Sequence, residues 1–471
     1  MIQTTEELFD YLGSFVNFER RQKQRIREFR LDRMRSLLDF FENPEASLPC
    51  IHIAGSKGKG STGAFLAQGL QALGIKTGLY SSPHVSDYRE RITQAGAFFP
   101  DQFYISEGNR LIKALPDFAR TQEPDEAEPT AFELLTLLAF MIFRAAGCGA
   151  AVIETGIGGR LDATNVIQPL LSVITPIELE HSDVLGRDIA QIASEKAGII
   201  KEKKTVFVAP QRYPEALEVF RRRAGENSSR IYYLPEVIET FSSHNGTDGS
   251  SFEITWKEGW IGENEGADSA ATPPEARGKL RMMGVFQSQN AALALSVIKY
   301  VIERQLLPSG PAAEIEKKWP LIVAALSETR LPGRLELVRK KPPIVLDGAH
   351  TPVSVSQALE TFKAVFGTDG ICIFGAVEGK DIRGMAGLIG ETFDQIIIST
   401  PGHFKPNAPE QVQNVFGELE ISTHLLVEPS KALQRAFELS ADTRPILVIG
   451  SFYMAAEIRN LIYPKRKGSG D

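Results

Sequence analysis

HIAGSKGKGSTGAF, residues 52–65, joins a short apolar run to a segment with helical spacing, and this junction decides the fold. The apolar run ends at Gly55, and from Ser61 onward apolar residues recur three and four positions apart until Gly74. A strand that ends in a glycine-rich loop and opens a helix directs several N–H groups and the helix N-terminus at one point, which favours phosphate. The stretch therefore predicts a nucleotide-type loop in an α/β fold.

The loop departs from the usual Walker A spelling, G-x-x-x-x-G-K-[ST], because Gly60 stands between Lys59 and Ser61. Gly55, Gly58 and Gly60 let the backbone turn and approach a ligand without a Cβ in the way. Ser61 can either cap the helix or face a magnesium-bound phosphate. The alternative is a flexible surface turn, which the strand–loop–helix context disfavours.

Apolar strands continue to alternate with helical patterns along the chain, which predicts parallel sheets joined by crossover helices. The composition shifts to Gly, Ser, Asp and Glu at residues 242–279, and we interpret this excursion as a hairpin with a solvated loop. A second α/β pattern begins near residue 334. We therefore predict a P-loop NTPase-like parallel-sheet domain over residues 1–329 and a smaller, C-terminal Rossmann-like α/β domain over residues 330–471.

The composition points to a cytoplasmic protein whose ligands are small. The 471 residues carry a net charge of −7, which argues against a nucleic-acid partner. The three cysteines are far apart and in no metal spacing, so we expect reduced thiols. The acidic start lacks a signal-peptide pattern and no apolar run reaches about 18 residues, so we expect no association with a membrane.

Ionisable residues follow three of the predicted strands. Glu154 stands at the carboxyl edge where ligands bind in open α/β sheets, and its carboxylate can hold Mg²⁺ or cap a neighbouring loop. His181 follows Glu178 and Glu180, and it is either a structural histidine or a metal ligand. Asp347 in LDGAH can accept a hydrogen bond from a ribose hydroxyl or cap a helix.

Together these motifs resemble one family, the folylpolyglutamate synthase/dihydrofolate synthase branch of the Mur-type ATP-dependent amide ligases. The segments that carry the resemblance are RMRSLLDFFENPEASLPCIHIAGSKGKGST, SSPHVSDYRERI, FELLT, ETGIGGRLDATNVI, HSDVLG, SEKAGIIK, FQSQNAALAL, LPGRLELV, LDGAH and GSFYMAAEIR. They follow one another in the family's order over nearly the whole chain, so the resemblance is far more specific than any one motif.

The resemblance implies a site for ATP and two Mg²⁺ ions, with no redox cofactor. The ATP-binding residues that it implies are Gly55, Gly58, Lys59, Gly60, Ser61, Asn290, Arg334 and Asp347, with Lys59 as the phosphate lysine. The implied metal ligands are Ser82, Glu154 and His181. The implied catalytic residues are Lys59, Lys196 as a carbamate, His181, and His350 on the glutamate or phosphate side. Phe132 matches the pterin-side segment and is either a stacking residue or part of the core.

The sequence departs from the family's usual spelling at four positions. Lys57 and Thr351 each stand where Asn is usual, Glu180 stands where Asp is usual, and Phe286 stands where His is usual. None of these departures removes a residue to which the resemblance assigns a metal.

The reaction that the resemblance implies joins L-glutamate to dihydropteroate or to a reduced folate. ATP would phosphorylate the acceptor carboxylate, and the amino group of glutamate would displace phosphate from the acyl phosphate. Catalysis would come from positioning and charge neutralisation. The alternatives are another Mur-type ligase, such as one that acts on peptidoglycan precursors, and a P-loop ATPase that is no ligase. We expect a monomer.

Overall fold

Three sheets organise the chain. The computed structural model describes residues 1–15, 31–122, 128–180, 182–262, 272–308, 310–402 and 408–464. Within these residues the sheets contain eight, three and six strands, in chain order. A large, mostly parallel N-terminal sheet and a smaller C-terminal sheet with flanking helices confirm the predicted fold class. The division into domains at residue 330 stays a prediction.

The eight-stranded sheet has the order β4–β3–β2–β5–β1–β6–β7–β8. Its strands are β1 (Cys50–Ala54), β2 (Thr77–Tyr80), β3 (Ile92–Gln94), β4 (Ala97–Phe98), β5 (Ala150–Glu154), β6 (Leu171–Ile174), β7 (Thr205–Val208) and β8 (Ile231–Tyr233). All neighbouring pairs are parallel except β2–β3 and β3–β4. Every residue of β1, β5 and β6 is buried, as continuous apolar runs predict for a sheet that is covered on both faces.

Helices cover both faces of this sheet. They are α1 (Thr5–Gly13), α2 (Leu31–Phe40), α3 (Lys59–Ala72), α4 (Asp101–Thr121), α5 (Ala131–Ala145), α6 (Ser182–Leu185), α7 (Ile189–Ala197), α8 (Pro214–Glu226), α9 (Leu234–Val237), α10 (Val285–Glu303) and α11 (Ala312–Glu328). α3 packs against α10 and α11. Gly69 permits this approach, because a Cβ there would lie 2.3 Å from Ile298 Cδ1. In the part of the chain that the structure describes, no helix is long and apolar enough to cross a membrane.

α3 begins at Lys59, two residues before the predicted start. Gly58 is its N-cap, with a left-handed φ of +84° and no side-chain cap. A residue with a Cβ is strained in this conformation, and glycine is not. Ser61 is the third helical residue, so the expectation that it can cap the helix is wrong.

The three-stranded sheet is antiparallel and packs on the helical layer. Its strands are β9 (Ile238–Gly246), β10 (Gly249–Trp256) and β11 (Glu275–Leu280). Phe252, Ile254 and Trp256 alternate along β10 and join the apolar core that contains α10. The interpreted hairpin is therefore present as β9–β10. Residues 263–271 of the interpreted loop lie outside the described residues.

The six-stranded sheet has the order β12–β13–β17–β14–β15–β16, and only β12–β13 is an antiparallel pair. Its strands are β12 (Glu336–Lys340), β13 (Pro343–Leu346), β14 (Ile371–Phe374), β15 (Gln395–Ile398), β16 (His424–Leu425) and β17 (Ile446–Ile449). The helices around it are α12 (Pro352–Phe366), α13 (Ile382–Gly390), α14 (Pro409–Glu418), α15 (Pro429–Ser440) and α16 (Phe452–Ile462).

Strand order brings the functional segments together. β5, β1 and β6 are adjacent and parallel, so their carboxyl ends meet at one edge of the large sheet. The phosphate loop follows β1, Glu154 ends β5, and residues 175–180 follow β6. In the six-stranded sheet (the second sheet), β13 ends immediately before Asp347.

Candidate active site

The phosphate loop is fastened to the segment that follows β6. The backbone N–H groups of Ser56 and Lys57 donate to the carbonyl of Pro176 at 2.9 and 3.1 Å. Gly55 lies directly against Thr175, because a Cβ on Gly55 would lie 1.8 Å from Thr175 Oγ1. The end of β6 therefore fixes the path of the loop, and only glycine fits at its first position.

The other side of the loop closes on α10 at Asn290. A Cβ on Gly58 would lie 2.5 Å from Asn290 Oδ1. The same Oδ1 accepts from Thr62 Oγ1 at 3.4 Å, and Asn290 Nδ2 donates to Gln287 Oε1 at 3.2 Å. Asn290 is thus held beneath the loop, and its contact with a nucleotide stays a prediction.

Lys59 and Gly60 lie where residues of the eight-stranded sheet and the six-stranded sheet come together. Lys59 Nζ donates to the carbonyl of Gly55 at 3.0 Å and lies 3.9 Å from Glu154 Oε1. A Cβ on Gly60 would lie 3.5 Å from Glu154 Oε2 and 3.8 Å from a guanidinium nitrogen of Arg334. Gly60, the residue that departs from the Walker A consensus, therefore lies between the carboxylate of Glu154 and the guanidinium of Arg334, which precedes β12.

Glu154 and the backbone of Ser82 meet beside the loop. Glu154 Oε2 accepts from the backbone N–H of Ser82 at 3.2 Å. Burial raises the pKa of the Glu154 carboxyl, and the cation of Lys59 opposes this shift. A carboxylate with a serine hydroxyl suits Mg²⁺, which takes few protein ligands and keeps waters or phosphate oxygens for the rest. Among the described residues no group of three His, Cys, Asp or Glu side chains could hold a metal.

Lys196 is buried in α7 and points at the same loop. Its Nζ donates to the carbonyl of Gly55 at 2.8 Å and to Glu180 Oε1 at 3.3 Å. Burial lowers the pKa of Lys196 to about 8, against the attraction of Glu180. A lowered pKa provides the neutral amine that the predicted carbamate requires. The pairing with Glu180 suits the ammonium form.

Each of the three lysines at the loop has a glutamate as its partner. The pairs and their N···O distances are Lys57–Glu178 (3.9 Å), Lys59–Glu154 (3.9 Å) and Lys196–Glu180 (3.3 Å). All three glutamates follow or end strands of the large sheet. Each cation that would attract phosphate therefore lies beside a carboxylate of the same chain.

Asp347 and Arg334 line the second side of the site. The carboxylate of Asp347 accepts from the backbone N–H groups of Leu335 and Ala349, each at 2.8 Å. It thus joins the start of β12 to the end of β13 and does not cap a helix, since Thr351 is the N-cap of α12.

Arg334 lies over an aromatic ring, with its guanidinium carbon 4.3 Å from the centroid of Phe452. Burial lowers the pKa of Arg334, and the charges of Asp347 and Glu154 oppose the shift. Burial likewise raises the pKa of the Asp347 carboxyl. The arginine therefore faces carboxylates from both sheets.

His350 lies two residues before α12. Its Nδ1 is 2.8 Å from the carbonyl of Gly348. A carbonyl only accepts, so Nδ1 carries the proton and Nε2 is the basic nitrogen. Burial, and then the cation of Lys57, lower the pKa of His350 well below its usual value. The imidazole is therefore neutral.

Phe132 lies at the same sheet edge as Glu154. A Cβ on Gly156 would lie 2.6 Å from Phe132 Cζ, so the ring packs on that glycine. The ring centroid of Tyr80 is 5.9 Å away. The side chain is only partly buried. Both its stacking role and its core role stay predictions.

The remaining predicted positions divide into three cases. His181 lies outside the described residues. Phe286 packs, with Met283, against the core of the six-stranded sheet. Thr351 caps α12, and its Oγ1 lies 3.5 Å from Glu178 Oε2. Two of the family departures are thus located at contacts between the large sheet's segments and the second sheet.

The sequence analysis did not predict a series of buried, hydrogen-bonded polar side chains behind the site. His52 Nε2 lies 2.9 Å from Thr164 Oγ1, and Thr164 Oγ1 donates to Asp162 at 2.5 Å. Asp162 Oδ2 accepts from the N–H groups of Gly156 and Ile157 at 2.9 and 3.1 Å. These hydrogen bonds therefore tie β1 to the loop after Glu154. The Asp-x-Thr turn in RLDATNV is the signal that could have located it.

The fold and the site together define a class of enzyme. Residues 333–452 match the family model described as Mur ligase, glutamate ligase domain. The match covers the six-stranded sheet that places Asp347 beside the phosphate loop. With that loop after β1, the chain has the arrangement of a Mur-type ligase.

Comparison with individual proteins narrows the class. The dihydrofolate synthase/folylpolyglutamate synthase of Bacillus subtilis is 30% identical over 91% of this chain and 94% of its own length. The folylpolyglutamate synthase of Mycobacterium tuberculosis, complexed with ADP, has a TM-score of 0.82 and 25% identity over 99% of both chains. An FPGS–AMPPCP–folate complex has a TM-score of 0.77 and 25% identity over 98% of this chain and 100% of its own. The chain belongs to the folylpolyglutamate synthase/dihydrofolate synthase family.

Proposed function

We propose that this protein uses ATP to join L-glutamate to a folate-type carboxylate, releasing ADP and phosphate. The observation that carries the proposal is the meeting of Lys59, Glu154 and Arg334 around Gly60. This point offers a cation and loop N–H groups for phosphate, a carboxylate for a metal, and an arginine from the second sheet. The names of the related proteins, and their complexes with ADP, AMPPCP and folate, support the choice of substrates.

The first step is phosphoryl transfer to the acceptor. Lys59 and the N–H groups of the loop hold the β- and γ-phosphates, while Asp347 and Arg334 hold the nucleotide from the second sheet. An oxygen of the acceptor carboxylate attacks the γ-phosphorus and ADP leaves, which gives an acyl phosphate. Two Mg²⁺ ions, held by Glu154, Ser82 and His181, would offset the charges of phosphate and carboxylate.

The second step forms the amide bond. The amino nitrogen of L-glutamate attacks the acyl carbon, inorganic phosphate leaves, and the nitrogen gives up a proton. His350 is neutral and its Nε2 is the basic nitrogen, so it can contact the incoming glutamate or the departing phosphate. Phe132 provides an aromatic face for the pterin ring of the acceptor. The protein thus contributes mainly positioning and charge.

We include a carbamate on Lys196 in the proposal. The support is the lowered pKa, about 8, which makes the neutral amine accessible near neutral pH. Carbamylation would exchange the ion pair with Glu180 for an anion that lies near Lys57 and Lys59. Incubation with ¹³C-bicarbonate should give a carbamate carbon signal in NMR spectra that Lys196→Ala lacks. A wild-type spectrum without that signal, in the presence of Mg²⁺ and AMPPCP, would exclude the modification.

One assay tests the reaction. The protein is incubated with ATP, Mg²⁺ and labelled glutamate, with dihydropteroate and tetrahydrofolate offered separately. Glutamate-dependent ADP release with amide product is the expected result, and the acceptor that reacts identifies the substrate. ATP turnover that ignores glutamate and both acceptors would favour a P-loop ATPase. Product only with a UDP-linked muramyl acceptor would favour a peptidoglycan ligase.

We further propose that the protein acts as a cytoplasmic monomer. Analytical ultracentrifugation should then give a species near the chain mass of 51.8 kDa. A dimer at the enzyme concentration of the assay would contradict the proposed monomer. Recovery of the protein outside the cytoplasmic fraction would contradict the proposed location.

A further inference from the structure

A side-chain bridge connects the phosphate loop with the second sheet's first helix. Glu178 Oε2 lies 3.9 Å from Lys57 Nζ in the phosphate loop and 3.5 Å from Thr351 Oγ1 at the N-cap of α12. The backbone of Glu178 is fixed as well, because its carbonyl accepts from Ser56 Oγ at 3.2 Å. One carboxylate oxygen therefore contacts both partners.

The surroundings make this bridge unlike a surface ion pair. The exposed fraction of the side chain is 20% for Lys57 and 9% for Glu178. A partly buried carboxylate that loses its cation is left without compensation for its lost hydration. Removing either Lys57 or Glu178 should therefore perturb the remaining residue. Removing one residue of an exposed pair would have little effect.

The bridge also has a functional position. Thr351 follows His350 directly, and Asp347 lies four residues before it in the same loop. Lys57 lies two residues before Lys59. Whatever fixes Lys57 relative to Thr351 therefore fixes the loop of Asp347 and His350 relative to the phosphate lysine.

We infer that Lys57, Glu178 and Thr351 are positioning residues that couple the docking of the second sheet to the phosphate loop. Lys57 and Thr351 are two of the four positions at which the sequence departs from the family's usual residues, and Glu178 joins them. This inference deepens the proposed ligase function and rests on it. The bridge acts through Asp347, His350 and Lys59, and it need not contact substrate.

The bridge is tested by a double-mutant cycle of Lys57→Gln, Glu178→Gln and the double variant. Steady-state kinetics gives kcat and KM for ATP at saturating glutamate and acceptor. Each single variant should lower kcat/KM for ATP by about fivefold or more, a typical size for coupling between sites. The double variant should be no worse than either single one, because both remove the same bridge. Lys57→Arg, which keeps the charge, should restore most of the activity.

Lys318→Gln is the matched control. Lys318 lies 3.7 Å from Glu314 within α11, so this variant loses a lysine–glutamate pair of similar length that is more exposed and does not join the sheets. Its kinetics should equal those of wild type. Single effects that multiply in the double variant would overturn the inference, as would a Lys57→Gln enzyme with wild-type kcat/KM or an inactive Lys57→Arg enzyme.

A second measurement separates this inference from the proposed function. Calorimetric titration with AMPPCP needs neither glutamate nor acceptor, and the same cycle can be run on its Kd. A wild-type protein that binds AMPPCP but makes no amide product would refute the proposed function. Non-additive losses of AMPPCP affinity would still support the bridge, and additive losses or unchanged Kd values would refute it.

Discussion

Replacing Gly58 by alanine tests how the phosphate loop is held. The new Cβ would lie 2.5 Å from Asn290 Oδ1 and 3.2 Å from Asn290 Cγ, so the asparagine has to move. The φ of +84° adds strain, because a left-handed conformation costs an alanine about 1–2 kcal/mol. Moving Asn290 breaks its bonds to Thr62 and Gln287, at about 0.5–1.5 kcal/mol each. Together these terms predict a loss of about 2–5 kcal/mol in the free energy of unfolding.

The assay is urea unfolding followed by circular dichroism, with an AMPPCP titration of the folded variant. Gly225→Ala is the matched control, because Gly225 lies near the end of α8 and a Cβ there would meet nothing within 4 Å. That control should be stabilised by about 0.5–1 kcal/mol, the usual gain of alanine over glycine in a helix. In an Asn290→Ala background the clash is gone, so Gly58→Ala should cost only the strain of about 1–2 kcal/mol. A Gly58→Ala protein as stable as wild type, or one with an equal cost in both backgrounds, would refute the reasoning.

Four further predictions follow from the site. Lys59→Ala should lower turnover by about 10²-fold or more with an unchanged circular dichroism spectrum; turnover near the wild-type rate would show that Lys59 is not the phosphate lysine. Lys196→Ala should lose activity and regain part of it when short carboxylic acids are added, and a lack of rescue would leave the carbamate without support. The pKa of Lys196 is lowered from 10.5 to about 8, so the unfolded state binds more protons between these values. The free energy of unfolding in CO₂-free buffer should therefore rise across that pH range, and a Lys196→Met variant should lack part of the rise. Phe132→Ala should raise KM for the pterin acceptor and leave KM for ATP unchanged, and equal changes in both would instead indicate a core role.

The sequence predicts the central strands and helices of both large sheets because each is a continuous apolar run or a clear helical repeat. β1, β5 and β6 are of this kind, and all three are buried over their full length. The short strands β4 and β16 have two residues each and carry no period that a sequence can reveal. β12 also has no continuous apolar run, since only Val338 of its five residues is buried, and it pairs antiparallel with β13.

The sequence predicts which residues belong to the candidate site, but not which of them contact one another. The motif order identifies Lys59, Glu154 and Lys196, but the partner of each lysine depends on strand order. Glu178 illustrates the limit, because it stands 121 positions after Lys57 in the chain and meets it only when β6 lies beside β1. The contact of Glu178 with Thr351 depends in addition on how the second sheet docks. Spacing along the chain contains none of this information.

The Lys59–Glu154 pair makes nucleotide binding an exchange of partners. A phosphate that recruits Lys59 must take it from Glu154, and the carboxylate thereby released is the group proposed to hold Mg²⁺. Metal and nucleotide should therefore bind cooperatively, since each relieves the charge that the other leaves unpaired. On product release Glu154 pairs with Lys59 again, so this carboxylate competes with ADP and phosphate for the loop lysine. The observed affinity for nucleotide then reflects the difference in free energy between the Lys59–phosphate and Lys59–Glu154 ion pairs. A loop with several lysines can therefore still release ADP and phosphate.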